Sequence, residues 1–177
     1  MNSKFVMATI FHFLSPFAAT KVESDNASDL HSFRFLSLEL AIKAAQGAVE
    51  YCRNQGYSVA VAVVDRGGNV QAQLRDRFAG PHTLETAFRK AWAANSFRQS
   101  TTELAGLPEE KRLPGQVSNN PSALLVGRGL VIEAGGEIVG GIGITGAPPG
   151  KPERDGIHGA CAQAGIGLIR EALEFAD

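Results

Sequence analysis

The sequence has two cysteines among its 177 residues, one tryptophan, and no apolar run long enough to span a bilayer. It also lacks a basic block, and its formal net charge is −1, so we expect no nucleic-acid partner. Apolar residues make up 44% of the chain and charged residues 20%, which is typical of a globular protein. We therefore expect one globular domain without a membrane span.

The two cysteines, Cys52 and Cys161, are isolated and lack the CxxC spacing of redox and metal sites. They could pair in an oxidising compartment. We expect both instead to be small buried residues, outside any disulfide framework.

Residues 1–31 differ in composition from the rest of the chain. The apolar run Phe5–Leu14 follows a lysine and is similar to a secretory signal, although His12 interrupts it. We expect an N-terminal extension and polar linker on a cytoplasmic protein, with export through residues 1–20 as the alternative. The domain itself then covers residues 32–177.

Hydrophobic spacing predicts the order helix, hairpin, helix, loop, hairpin, helix. The predicted elements are a helix from Ser37 to Asn54, strands Ser58–Val64 and Val70–Leu74, a helix from Gly80-Pro81, a loop over Thr102–Pro121, strands Leu130–Glu133 and Glu137–Thr145, and a helix over Ile157–Phe175. Hairpins rather than crossover units indicate an antiparallel sheet with helices packed on it. The fold class predicted is α+β.

The segment Gly141–Gly146 matches the dinucleotide fingerprint GxGxxG. That fingerprint needs a helix immediately after it, but Pro148 and Pro149 follow here. We expect the glycines to leave one face of a strand without side chains, so that a helix or a ligand can approach its backbone closely. Walker, GxSxG and HExxH patterns do not occur in the sequence.

Two histidines inside the domain are candidate ligands. His82 opens the second helix with Glu85 on the same side, a pair that could bind a metal or a haem edge. The alternative is a polar first turn in which Glu85 complements the helix dipole. His158 opens the last helix beside a glycine-rich loop, and is predicted to be either an exposed axial ligand or a surface histidine.

Cationic residues follow or precede the two hairpins. Arg75 and Arg77 form the exit of the first hairpin, while Arg128 and Arg154 flank the second. If the hairpins are neighbours in one sheet, these cations gather at one rim that suits an anionic ligand. A solvated rim without a ligand is the alternative.

Three segments resemble the GlcG/HbpS family of haem-binding or haem-degrading proteins. They are VAVAVVDRGGNVQAQLRDRFAGPHTLETAFRKAWAANSF, GRGLVIEAGGEIVGGIGITGA and CAQAG, and the resemblance covers Leu36 to Ala176. It implies a profilin-like, five-stranded antiparallel sheet with helices on both faces, assembled into a homo-oligomer. Relatives of this domain occur fused to corrinoid adenosyltransferases.

The chain departs from the family pattern at two places. The family has Gly-Gly-x-Pro-Ile where this chain has Arg128 to Ile132, so Val131 replaces the proline and Arg128 is added. The family carries acidic residues before the CAxAG segment, where this chain has His158-Gly159-Ala160. His158 could therefore supply a different ligand.

The resemblance implies a small-molecule binding protein whose ligand is haem or a related tetrapyrrole, with a role in haem breakdown or iron handling. On that interpretation His158, His82, Arg75, Arg77, Arg128 and Arg154 hold the cofactor. An enzyme or accessory protein acting on a small organic acid is the alternative, with Arg75, Arg77 and Arg128 holding carboxylates. A third interpretation is an assembly module, because such sheets also serve as interaction platforms.

Overall fold

The computed structural model describes residues 32–108, 110, 114–115, 119–148 and 156–175. The chain divides into two compact units, Met1–Ser32 and Phe33–Asp177, and the fold described below is that of the second. The predicted extension, signal and linker lie outside the described residues.

The described residues form four strands and five helices. In chain order they are α1 (Leu38–Asn54), β1 (Ala60–Asp65), β2 (Val70–Arg75), α2 (Thr83–Phe97), α3 (Thr101–Ala105), β3 (Gly129–Ala134), β4 (Glu137–Thr145), α4 (Gly156–Gly167) and α5 (Arg170–Glu174). The sheet has the order β2-β1-β4-β3, and all its pairs are antiparallel. The predicted α+β class is confirmed, and the five-stranded, profilin-like form stays a prediction because four strands are described.

Helices cover both faces of the sheet, as β1 shows most clearly. All six residues of β1 are buried, because alternate side chains point to opposite faces and both faces are covered. Val61 and Val63 belong to the larger core, which includes residues of α1 and α4. Ala60, Ala62 and Val64 pack with Ala87 and Ala91 of α2.

The glycines of β4 let α2 lie directly on the sheet. A Cβ atom added at Gly143 would lie 2.1 Å from the backbone oxygen of Ala87, and one added at Gly141 would lie 2.6 Å from that of Ala91. The prediction that the glycines of the GxGxxG segment allow another element to approach the strand closely is confirmed. That element is helix α2.

Three predicted boundaries were wrong. The second helix begins at Thr83 rather than Gly80-Pro81, because Thr83 bonds back to Gly80 in a turn before the helix. The predicted loop begins with helix α3, whose N-cap Ser100 forms a capping box with Glu103. The last helix is two helices, α4 and α5, and the break follows Gly167, a residue with low helix propensity.

The expectation that the two cysteines are unpaired was also wrong. A disulfide joins Cys52 of α1 to Cys161 of α4, with the Cα atoms 5.5 Å apart. The two helices pack closely through Gly165, since a Cβ atom there would lie 2.4 Å from the backbone oxygen of Ala44. The pairing could not be inferred from sequence spacing, because 109 residues separate the two cysteines.

Candidate functional site

The predicted cations lie at one end of the sheet but on its opposite edges. Arg75 on β2 and Thr145 on β4 both pair with the same residue of β1. Gly129 of β3 pairs with Gly143, so Arg128 lies at that same end. Three strand spacings separate β2 from β3, or about 14 Å. The single predicted rim is therefore two separate groups of cations.

The group at the β3 edge is buried, and we call Lys90, Arg128 and His158 the buried cationic cluster. Lys90 comes from α2, Arg128 directly precedes β3, and His158 belongs to the first turn of α4. Their exposed fractions are 4%, 9% and 3%. Buried lysine and arginine side chains are rare in proteins unless they are paired.

Lys90 was missed by the sequence analysis. It lies three residues after Ala87 and four before Ala94, so helical spacing places it on the buried side of α2. Its ammonium group donates a hydrogen bond to the backbone oxygen of Ile144, at 3.2 Å. Burial, with a smaller effect of Arg128, lowers the pKa of Lys90 to about 8. A lone lysine in an alanine-rich apolar stripe was the signal that could have identified it.

The predicted exposure of His158 was wrong, since its ring is buried against the end of β4. The backbone N–H of Ala147 donates to His158 Nε2 at 2.9 Å. His158 Nδ1 lies 3.3 Å from Arg128 Nη1. Burial foremost, then the charges of Lys90 and Arg128, lower the pKa of His158 to about 3. The imidazole is therefore neutral at pH 7.

Arg128 is held in an unusual backbone conformation, with φ at 92°. Its backbone N–H donates to Thr102 Oγ1 at 3.1 Å, and the N–H of Gly129 donates to Thr101 Oγ1 at 2.7 Å. The Thr101 hydroxyl in turn donates to the backbone oxygen of Val126. Helix α3 therefore stabilises a left-handed conformation that costs a non-glycine residue energy.

The second group lies on the connection from β2 to α2, and we call Arg75, Arg77, Phe78 and His82 the β2–α2 rim. The guanidinium of Arg75 donates to the backbone oxygen of Ala79. That of Arg77 lies 5.8 Å from the ring centroid of Phe78, a side chain that is 82% exposed. His82 is exposed, and its imidazole forms no hydrogen bond with another described residue.

Acidic residues near the β2–α2 rim have their own partners. Asp76 is buried and pairs with Arg53 at 3.0 Å, and this hydrogen bond lowers the pKa of Asp76. Arg75 and Arg77 also line a groove of about 540 Å³ against α1, which His82 does not line.

The predicted metal site formed by His82 and Glu85 remains a prediction, and these two residues would supply two ligands. Glu85 is exposed and lies 4.0 Å from Arg89 on the next turn. Among the described residues, no three His, Cys, Asp or Glu side chains come together in a group that could hold a metal ion. Arg154 lies outside the described part of the chain.

Comparison with known proteins identifies the family. The model of the haem-degrading, HbpS-like proteins matches residues 36–166. The chain belongs to the HbpS-like family. It is 36% identical to HbpS in its crystal structure, covering 82% of this chain and 98% of HbpS with a TM-score of 0.71.

Two further proteins are similar to this chain at lower sequence identity. The PduOC protein, crystallised as a haem complex, is 25% identical, with 77% of this chain and 96% of that chain covered and a TM-score of 0.66. An uncharacterised 15.0 kDa protein of Citrobacter freundii is 29% identical over 122 residues, which are 68% of this chain and 84% of that protein. None of the described helices is both long and apolar enough to cross a membrane.

Proposed function

We propose that the protein binds haem or a related tetrapyrrole at the β2–α2 rim. The observation that carries this proposal is membership of the HbpS-like family over residues 36–166, together with the similarity to PduOC, which was crystallised as a haem complex. The geometry of the rim supports it, because the rim combines an exposed imidazole, an exposed aromatic ring and two cations.

The side chains of the rim fit the requirements of haem. An axial ligand needs a ring nitrogen that is not used elsewhere, and the imidazole of His82 meets this condition among the described residues. The exposed ring of Phe78 offers an apolar contact for the flat macrocycle. Arg75 and Arg77 would pair with the two propionates. Haem bound here would supply the redox chemistry of its iron, and these four residues would hold it.

His158 fits the role of axial ligand poorly. Nε2 accepts the Ala147 N–H, Nδ1 faces the guanidinium of Arg128, and the ring is buried. Binding iron would require the ring to release a backbone amide, which would leave a buried donor unpaired. We therefore assign the ligand role to His82 and a separate role to His158.

We extend this proposal to haem breakdown and iron handling by the same protein. Haem held at an exposed rim would be open to solvent and to an external reductant, which suits the release of iron. Incubation of the haem complex with ascorbate in air, with ferrous iron captured by a chelating dye, measures this activity. A haem complex that keeps its Soret band and releases no iron would limit the function to binding.

A haemin titration followed at the Soret band tests the binding proposal. We expect saturable binding by the full chain, and weaker binding by a variant that carries both Arg75→Gln and Arg77→Gln. Arg170→Gln is the matched control, because it removes an exposed cation of α5, away from the rim. Equal weakening by both substitutions, or binding that does not saturate, would contradict the proposal.

We also infer an oxidising compartment for this protein. Disulfides persist in the periplasm and outside the cell, and are rare in the cytosol. The bond between Cys52 and Cys161 therefore favours the export alternative over the cytoplasmic expectation. Fractionation of cells that produce the full chain, followed by sequencing of its N-terminus, tests this inference.

A further inference from the structure

A cavity of about 470 Å³ lies at the end of the sheet where both hairpins turn. It is lined by residues of the β1–β2 turn, of the β3–β4 hairpin and of the C-terminal part of α2. Cavities of this size are typical of small-molecule sites. Arg75 of the β2–α2 rim pairs with the first residue of β1, whereas the cavity lies beyond the last one. The length of β1, about 17 Å, therefore separates the cavity from the rim.

The cavity presents one cation and one anion that have no partner. Arg66 pairs with Glu137 at 3.5 Å and donates to the backbone oxygen of Ile138, so its charge is already used. Arg98 and Glu133 also line the cavity. Neither of their side chains forms an ion pair or a hydrogen bond with any described residue. One positive and one negative charge therefore remain for a ligand.

Arg98 is held in a backbone conformation that arginine rarely adopts. It ends α2 with φ at 56° and ψ at 32°, in the left-handed region where glycine is usual. Its backbone N–H donates to the oxygen of Ala94, a capping bond that glycine would make equally well. Helix capping therefore does not explain an arginine here. Unfavourable conformations of this kind cluster at ligand sites.

Asn95 brings a buried amide to the same cavity. Nδ2 donates to the backbone oxygen of Arg66 at 3.1 Å, whereas Oδ1 is buried and has no hydrogen-bond partner among the described residues. A buried acceptor without a partner is costly. An N–H group of a ligand that reaches Oδ1 would supply the missing donor.

We propose that this cavity binds a small neutral amino acid as its zwitterion. The ligand carboxylate accepts from the guanidinium of Arg98, whose fork matches two oxygens. The ligand ammonium pairs with Glu133 and supplies an N–H donor for Asn95. Trp92 and Ile138 line the cavity and offer apolar contacts to a short side chain. A ligand with a net charge would leave one of the two protein charges unpaired.

The fluorescence of Trp92 tests this site in the unmodified full chain. Trp92 is the one tryptophan of the sequence, so its signal reports on this cavity. Titration with glycine and with L-leucine is expected to give a saturable change for at least one of them, and calorimetry measures the same titrations. Glycine betaine is the matched probe, because it is a zwitterion whose nitrogen carries no N–H. Betaine and acetate are both expected to bind at least about tenfold more weakly.

Arg98→Gly removes the guanidinium from a position that glycine occupies without strain. We expect this variant to lose affinity for the amino acid by about tenfold or more, while its thermal stability equals or exceeds that of the parent. Glu133→Gln is expected to weaken binding to a similar degree. Lys43→Gln removes an exposed charge from α1, away from the cavity, and is the matched control that is expected to bind as the parent does.

The absence of saturable binding of both glycine and L-leucine would overturn the proposal, as would equal affinity in Arg98→Gly and the parent. Betaine or acetate that binds as tightly as the amino acid would overturn the assignment to amino acids. Haemin is titrated separately and its proposed site is at the opposite end of the sheet, so failure of one site does not decide the other.

Discussion

The imidazole of His158 lies 3.3 Å from the guanidinium of Arg128 and accepts a backbone N–H from Ala147 on its other side. This ring therefore connects the first turn of α4 to the end of β4 and to the start of β3. Such contacts require the ring to be neutral, because a protonated ring would have no acceptor for Ala147 and would repel Arg128 and Lys90.

Stability is expected to fall with acidification because of His158. Its pKa is about 3 in the folded protein and 6.5 in the unfolded chain, so the unfolded state binds more protons between these values. The stabilisation is full above pH 6.5 and is lost as the pH falls towards 3, by up to about 1.4 kcal/mol per pH unit.

Urea unfolding at several pH values between about 7 and 4 measures this slope. His158→Gln keeps an acceptor for Ala147 but cannot be protonated, so we expect a flatter dependence in this variant. The same slope in both proteins would show that other groups cause the loss.

The disulfide is expected to contribute to stability because it links residues 109 positions apart. Removing it by Cys52→Ala with Cys161→Ala is expected to lower the free energy of unfolding by about 3–5 kcal/mol. The parent is expected to lose a similar amount in dithiothreitol, whereas the double variant serves as control and is expected not to respond. Alkylation of both cysteines in the denatured, unreduced protein would contradict the bond.

Gly143→Ala is expected to destabilise the protein by about 1–3 kcal/mol or more, because the new methyl group meets the backbone of α2. Gly167→Ala is the matched control, since nothing lies within 4 Å of a Cβ atom there. Thermal unfolding of both variants measures the difference. Equal stability of the two, or micromolar binding of NAD or FAD by the parent, would contradict the structural role of this segment.

The parts of the fold that depend on local pattern were predictable from the sequence. Helix α1 begins after Ser37 and ends at Asn54 as predicted, because its N-cap and its apolar spacing are both local signals. The hairpins were found by the same logic, since Gly68 and Gly136 take the positive φ angles of tight turns.

The cluster could not be predicted because it depends on how distant segments meet. Lys90 and His158 come from helices on opposite faces of the sheet, and their burial follows from packing rather than from spacing. The two arginine groups were predicted to share a rim, but the strand order that separates β2 from β3 is a property of the whole chain.

A homo-oligomer is expected in solution. The segment 5–17 is rich in apolar residues, and apolar patches on a protein surface usually mark interfaces. Within the described domain, Phe33 and Phe35 are apolar side chains that are 55% and 63% exposed. Light scattering on the full chain is expected to give a multiple of the monomer mass. A monomer at micromolar concentration would contradict this expectation.

Rescue by imidazole in the haem-loaded protein is the most direct test of the central claim that His82 holds the iron. His82→Ala is expected to bind haemin about tenfold or more weakly and to shift the Soret maximum, because the axial ligand is lost. Added imidazole is expected to restore the parent spectrum in this variant, while His158→Gln is expected to keep that spectrum without any addition. A parent-like spectrum in His82→Ala, together with its loss in His158→Gln, would contradict the claim.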